Sequence, residues 1–201
     1  VQFLLWYFKR FIRYRKIKPN SVHYFLSNKN LITQNIDGLD YKAGNKTHIT
    51  IHGNINKVTL YHDEGDDVEV FDGPWESIEK ECPDPKDTKK LETILLEYFK
   101  ISNKTLRPEK LISLKPFVLL FDEFYTNIYK MNLAENWMQK AQKFIFLGTS
   151  FSVNITSIAL NYAIRNNSSI EIVDPNPIDL NIKNIKYFKM KASEYIGLVK
   201  N

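Results

Sequence analysis

The apolar positions fall into short runs whose period changes along the chain. Val1, Leu4, Leu5, Phe8, Phe11 and Ile12 recur at helical spacing and predict an amphipathic helix that Pro19 stops. Asn20 is placed to cap a second short helix over 22–26, with His23 as a structural residue of its first turn. Leu31-Ile32 begins a buried strand that turns polar at once, through Thr33-Gln34-Asn35-Ile36-Asp37-Gly38-Leu39. His48-Ile49-Thr50-Ile51 alternates polar and apolar, as a half-buried strand does, and delivers His52 and Gly53 at its end. Residues 57–62 read as an extended arm, and Pro74, Pro83 and Pro85 predict an irregular stretch. Leu91, Ile94, Leu95, Tyr98 and Phe99 then mark an amphipathic helix.

In the second half, Pro116 precedes a buried strand over 117–121 that ends at Asp122-Glu123. A helix over 133–142, a strand over 144–147, the turn Gly148-Thr149-Ser150 and a helix over 156–165 follow. A strand over 170–173 ends at Asp174, and a last strand (187–190) and a helix (193–200) close the chain. Strands alternating with helices predict an α/β fold, a doubly wound, mostly parallel Rossmann-like sheet. One domain over 1–201 is expected, with 57–114 as a small irregular and helical insertion.

Composition narrows the classes. Apolar content of 43% and aromatic content of 13% suffice for a packed core. The net charge of +5 is spread along the chain, which favours weak attraction to acidic partners and no specific nucleic acid. A single cysteine, Cys82, excludes an internal disulfide and points to a reducing, cytoplasmic compartment. The apolar opening over 1–8 is too short to span a bilayer, so no membrane span is expected. The basic end of the first helix reads as a solvated face or a surface for a membrane or partner. Asp63, Glu64, Asp66, Asp67, Glu69 and Asp72 crowd one loop, but their spacing does not fit a calcium loop.

Two stretches carry candidate chemistry. A strand that ends in clustered amides and a carboxylate is how an α/β sheet presents reactive groups at its carboxyl edge. Beside it, His52 is a candidate general base, and Gly53 lets a ligand approach closely. The second stretch is the turn Gly148-Thr149-Ser150 between a strand and a helix, the outline of a nucleotide-binding crossover. Asp174 at the next strand end either holds ribose hydroxyls or starts a turn.

The string Thr33-Gln34-Asn35-Ile36-Asp37-Gly38-Leu39 followed by His52-Gly53 resembles the signature of the sirtuins, NAD-dependent protein deacylases. Pro19-Asn20 with His23 and Leu26, the stretch from Lys115 to Glu123, Gly148-Thr149-Ser150 with Val153, and Asp174 are similar to further motifs of that family. The resemblance implies an NAD-dependent protein-lysine deacetylase or deacylase that releases nicotinamide and O-acyl-ADP-ribose. Asp37 would hold the nicotinamide carboxamide, with Ile36 beside it. Gln34 and Asn35 would position the ribose and the reacting oxygen, and His52 would deprotonate a ribose hydroxyl. Gly148, Thr149, Ser150 and Asp174 would meet phosphate and the adenine ribose. Val118, Leu119, Phe121, Asp122, Glu123 and Val153 would line the groove for an acyl-lysine protein or peptide.

The departures from that pattern define two alternatives. The family's four zinc cysteines are reduced to Cys82, which His62 cannot complete, so no structural zinc and no metal site are expected. Asp122 replaces the glycine of Phe-Gly-Glu, and Asp40 replaces a histidine. The family's first strand and its Gly-Ala-Gly-Ile-Ser loop have no counterpart in these 201 residues. The sheet is therefore expected to be incomplete at its N-terminal side, with the helix over 1–11 as a candidate cover. An NAD glycohydrolase or ADP-ribosyltransferase, and a catalytically inactive NAD-fold interaction module, are the alternative readings.

Overall fold

A computed structural model describes residues 1–62, 68–120 and 123–199. Asp63, Glu64, Asp66 and Asp67 of the acidic loop, and the groove candidates Phe121 and Asp122, lie outside the described residues.

Helix α1 (Gln2–Arg15) follows the apolar period and buries Leu4, Leu5, Tyr7, Phe8 and Phe11. Helix α2 (Ser21–Leu26) starts on Asn20, whose Oδ1 accepts from the N–H groups of Val22 and His23. The Asn20 N–H donates in return to His23 Nδ1, a reciprocal cap that gives the histidine a structural task. Strand β1 (Ile32–Thr33) leads through Gly38 into the single turn α3 (Leu39–Lys42), and pairs in parallel with β2 (Ile49–Thr50). Strands β3 (Gly53–Leu60), β4 (Val70–Asp72) and β5 (Leu114–Val118) form an antiparallel sheet in the order β4-β3-β5. Between β4 and β5 lie α4 (Trp75–Glu81) and α5 (Thr88–Tyr98). A 3₁₀ turn at Asn127–Tyr129 and helix α6 (Met131–Lys140) follow. Strand β6 (Lys143–Leu147), helix α7 (Asn154–Arg165), strands β7 (Ser169–Val173) and β8 (Ile185–Phe188), and helix α8 (Ala192–Val199) complete the chain. β6, β7 and β8 are parallel and adjacent in that order.

The α/β class and the parallel pairing agree with the sequence expectation. Three features depart from it, each for a physical reason. β5 begins before Pro116, because it is the edge strand of its sheet, where a missing N–H is tolerated. The stretch after Pro74 is helical and not irregular: a proline at a helix start removes only an N–H that has no helical partner. Helix α1 does not cover the open side of the parallel strands. Its apolar face packs into a cluster with Ile55 and Val58 of β3, Trp75 and Ile78 of α4, and Leu91 and Leu95 of α5. Trp75 anchors that cluster, its ring 5.0 Å from Phe99 and 5.9 Å from Phe11, and its Nε1 donates to the Ile55 carbonyl at 2.8 Å.

A second cluster joins Ile49 and Ile51 to Met131, Ala134, Met138 and Ile155. The chain therefore passes from one core to the other within a few residues, and His52-Gly53 is the joint between them. Among the described residues, no helix is long and apolar enough to cross a membrane.

Glu171 sits at the centre of β7, held by Tyr195 of α8 and by Lys143 of β6, whose Nζ lies 2.8 Å away. Burial pushes its carboxyl up, but the bonds from Lys143 and Tyr195 outweigh burial and leave it below the ordinary glutamate range. A depressed folded-state pKa stabilises above the unfolded value, about 4.3, and that stability is lost as pH falls through the lower folded value. Thermal melts of Glu171→Gln should accordingly show a flatter loss of stability below about pH 4.3 than the parent chain does.

Candidate active site

Backbone contacts draw the polar strand end, His52 and β5 together. The Ile51 N–H donates to the Thr33 carbonyl at 3.0 Å and the Ile55 N–H to the Ile36 carbonyl at 2.9 Å. On the other side the Leu119 N–H donates to the His52 carbonyl at 3.0 Å, and Gly53 pairs with Val118. Gln34, Ile36, His52, Val118 and Leu119 thus meet at one place. Gly53 makes the approach possible: it holds φ +87°, and a Cβ there would lie 2.1 Å from the Phe117 carbonyl oxygen.

The motif's turn is fixed by its own side chains. The Asn35 N–H donates to Thr33 Oγ1 at 3.1 Å, leaving the exposed Asn35 side chain outside. Asp37 Oδ1 accepts from the Leu39 N–H at 2.9 Å across Gly38, which is left-handed at φ +74°. Asp40 is buried directly behind this turn. Burial raises its carboxyl, while His23, His48 and the Thr33 hydroxyl act in the opposite direction.

His52 is half-buried, and its Nε2 lies 2.9 Å from the Tyr125 hydroxyl. Burial pushes the imidazole below its ordinary value, with the Gln34 backbone carbonyl working against that shift. A ring kept neutral near pH 7 is able to take a proton.

The second group of predicted residues forms at the carboxyl ends of β6 and β7. The Gly148 N–H donates to the Val173 carbonyl at 2.9 Å, and Gly148 holds φ +59° with nothing within 4 Å of a built Cβ. Ser150 Oγ lies 2.6 Å from Ser152 Oγ, and the Phe151 N–H reaches Thr149 Oγ1 at 3.5 Å. Asp174 Oδ1 accepts from the Asn176 N–H at 2.8 Å and so shapes the turn after β7. Val153 precedes α7 and packs into the same cluster as Ile49 and Ile51, which ties this turn to the strand that carries His52.

Glu123 faces inward. Its carboxylate pairs with Lys115, accepts from the Leu120 N–H at 3.0 Å and meets the Tyr129 hydroxyl at 3.4 Å. The Cys82 thiol is buried against the Asp84 carbonyl at 3.3 Å, and burial pushes its pKa up. Among the described residues, no group of three or more His, Cys, Asp or Glu side chains is placed to hold a metal ion.

Comparison with known proteins decides the family. The model of the Sir2 family matches residues 2–155. The chain belongs to the Sir2 family. It is 31% identical over 166 residues to the NAD-dependent deacetylase sir2E of Dictyostelium discoideum, covering 72% of this chain and 43% of that protein. It is 26% identical over 192 residues to an NAD-dependent protein deacylase of Bacteroides thetaiotaomicron, covering 92% of this chain and 71% of that protein. The chain thus spans less than half of one relative and about 71% of the other. A solved structure described as "Sir2-p53 peptide-NAD+" has the same fold, with a TM-score of 0.67 at 22% identity, covering 93% of this chain and 71% of that one.

The Sir2 match contains the polar strand end, His52, β5 and the Gly148 turn, and stops short of Asp174. The residues present fit a bound dinucleotide. The turn at Gly148 is open, its neighbours Thr149 and Ser150 offer hydroxyls, and it lies just ahead of the 12-residue helix α7. One contact escaped the sequence reasoning: Tyr125, on the loop after β5, which reaches His52. The sequence offers two adjacent aromatics there, Phe124 and Tyr125, and nothing in it distinguishes the one that reaches His52.

Proposed function

We propose that this chain carries the catalytic part of an NAD-dependent protein-lysine deacylase. The observation that carries the reading is His52: a half-buried imidazole at a strand end, its pKa lowered by burial, between Ile51 and Ile55, which bond to Thr33 and Ile36, with its own carbonyl bonded to Leu119. When bound, NAD supplies a ribose carbon that becomes electrophilic as nicotinamide departs. Asp37, on its rigid turn, holds the carboxamide, with Ile36 as the apolar wall. Gln34 and Asn35 orient the ribose and the acyl oxygen. His52 is the general base that deprotonates a ribose hydroxyl. Gly148, Thr149 and Ser150 hold phosphate and ribose oxygens, and Asp174 the adenine ribose. Val118, Leu119, Glu123 and Val153 line the groove for acyl-lysine, and the sirtuin resemblance assigns Phe121 and Asp122, which lie outside the described residues, to the same groove. The likeness to proteins described as NAD-dependent deacylases supports this assignment.

Residues 57–114 form, in this reading, an insertion between elements of the nucleotide-binding part, and the lone Cys82 suits a reducing, cytoplasmic setting. The test is nicotinamide release by this chain, with NAD, in the presence and absence of an acetyl-lysine peptide. Release that depends on the peptide is expected. Release independent of it identifies an NAD glycohydrolase or ADP-ribosyltransferase instead, and no release under either condition identifies an inactive module.

A further inference from the structure

Tyr125 occupies a position that a merely structural side chain has no reason to hold. Its hydroxyl lies 2.9 Å from His52 Nε2, with the two rings inclined by only 22° and their centroids 5.8 Å apart. The hydroxyl stands near the first turn of α7, where the Ile155 backbone works against the rise in its pKa that burial causes. The Gln34 carbonyl acts on the imidazole as an N–H acceptor, and with that proton on Nδ1 the phenol donates its O–H to Nε2. An accepting Nε2 is unprotonated, which places the ring proton on Nδ1.

This geometry has a chemical consequence. The Nε2 lone pair that a base needs is already taken by the phenol, so a substrate hydroxyl does not meet the imidazole first. Nor is Tyr125 free to swing aside. Its ring packs against the cluster of Ile49, Ile51, Met131 and Ile155, and its oxygen is bonded to His52. A phenol oxygen that donates to His52 keeps its lone pairs for a second partner. Burial raises the phenol's pKa, so the group enters the reaction protonated.

We infer that Tyr125 is a catalytic residue, a proton relay between the substrate hydroxyl and His52. The inference rests on the reading of His52 as the general base. In the step, the substrate O–H bond breaks and its proton joins the Tyr125 oxygen. The phenol's own O–H bond breaks at the same time, and that proton forms the Nε2–H bond of His52. The phenol ends neutral, the imidazole carries the positive charge and the substrate oxygen carries the electron pair freed by its proton. No oxidant or metal enters the balance. A relay of this kind allows a buried base to act without touching the sugar, at the cost of a second proton transfer that must be concerted, since a free phenolate here is disfavoured by burial.

Two measurements on the same chain test this. The first needs no turnover: ¹⁵N NMR of the imidazole. The parent chain should show His52 with a protonated Nδ1 and an unprotonated, hydrogen-bonded Nε2, and Tyr125→Phe should lose that single tautomer for a mixture. A parent chain with its proton on Nε2 overturns the relay, whatever the activity. The second is nicotinamide release with acetyl-lysine peptide. Tyr125→Phe, which keeps the ring and its packing, should lose about 10²–10⁴-fold in turnover, as removal of one acid–base group does. A Tyr125→Phe chain that turns over as fast as its parent, or faster, also overturns the relay and makes the tyrosine a mere occupant of the base's lone pair. A parent chain that releases no nicotinamide refutes the deacylase reading and the relay step with it, while the NMR result still decides whether the Tyr125–His52 pair exists. A thermal melt of Tyr125→Phe close to that of the parent shows that a loss of turnover is not a loss of fold.

Discussion

His52→Ala should lower the turnover of peptide-dependent nicotinamide release by about 10²–10⁴-fold, the usual contribution of one positioned acid–base group. The expectation follows from where the imidazole stands. It leaves the end of β2 at the joint between two hydrophobic cores, so its position is set by packing on both sides and not by a mobile loop. Burial keeps it neutral, and the parent chain should therefore hold its activity as pH falls to the ordinary imidazole value of about 6.5 and lose it only below. The rate that survives in His52→Ala should lack that acidic limb. Loss of the ring removes one hydrogen bond to Tyr125, worth about 1 kcal/mol, so the variant should remain folded. Steady-state assays across pH, alongside a thermal melt, check all three expectations; nicotinamide release at the parent rate would refute the assignment of the base.

Much of this molecule is legible in its sequence where a local rule governs. The 3.6-residue period of Leu4, Leu5, Phe8 and Phe11 specifies α1, because one face of one helix is buried. The Asn20–His23 cap is also a local interaction, and its residues stand three apart. What the sequence does not disclose is where such faces go. The apolar face of α1 suits any hydrophobic surface, and only the shape of Trp75, Leu91 and Phe99 directs it to the antiparallel sheet and not to the parallel strands. Pro116 illustrates the converse. Proline rules depend on whether a strand lies at an edge, and that is decided by β3 and β4, more than 40 residues upstream.

The candidate site divides along the same line. Asn35, Asp37 and His52 are readable as a motif because β1 and β2 are close in sequence and their polar ends must emerge together. Glu123 and Tyr125 are two residues apart, yet the first turns to Lys115 and the second to His52 and the cluster around Ile49 and Ile51. Nothing in the string Glu123-Phe124-Tyr125 sets that choice. It is made by the apolar cluster of Ile49, Ile51, Met131 and Ile155, which receives the Tyr125 ring beside the β2 strand end. Long-range packing of one ring thus places a hydroxyl on the base, which is why no spacing rule finds it.

Gly53→Ala should destabilise the chain by about 2–6 kcal/mol, the sum of backbone strain and overpacking. The residue holds φ +87°, where a side chain is disfavoured, and its Cβ would fall 2.1 Å from the Phe117 carbonyl oxygen and 3.0 Å from the Val118 Cα. Both are backbone atoms of β5, so no rotamer change relieves the contact, and the strand itself has to move. That movement pulls on the bond between the Leu119 N–H and the His52 carbonyl, so the damage should extend to the base and lower turnover as well. Gly148→Ala is the informative control. It has the same sign of φ, at +59°, but open space around the new Cβ, and should cost only about 1–2 kcal/mol of left-handed strain. Denaturant unfolding of the two variants separates the terms: the excess loss in Gly53→Ala measures the close approach of β5 to the strand end. Equal losses would mean that β5 does not press on Gly53, and that the groove beside His52 is wider than the structure has it.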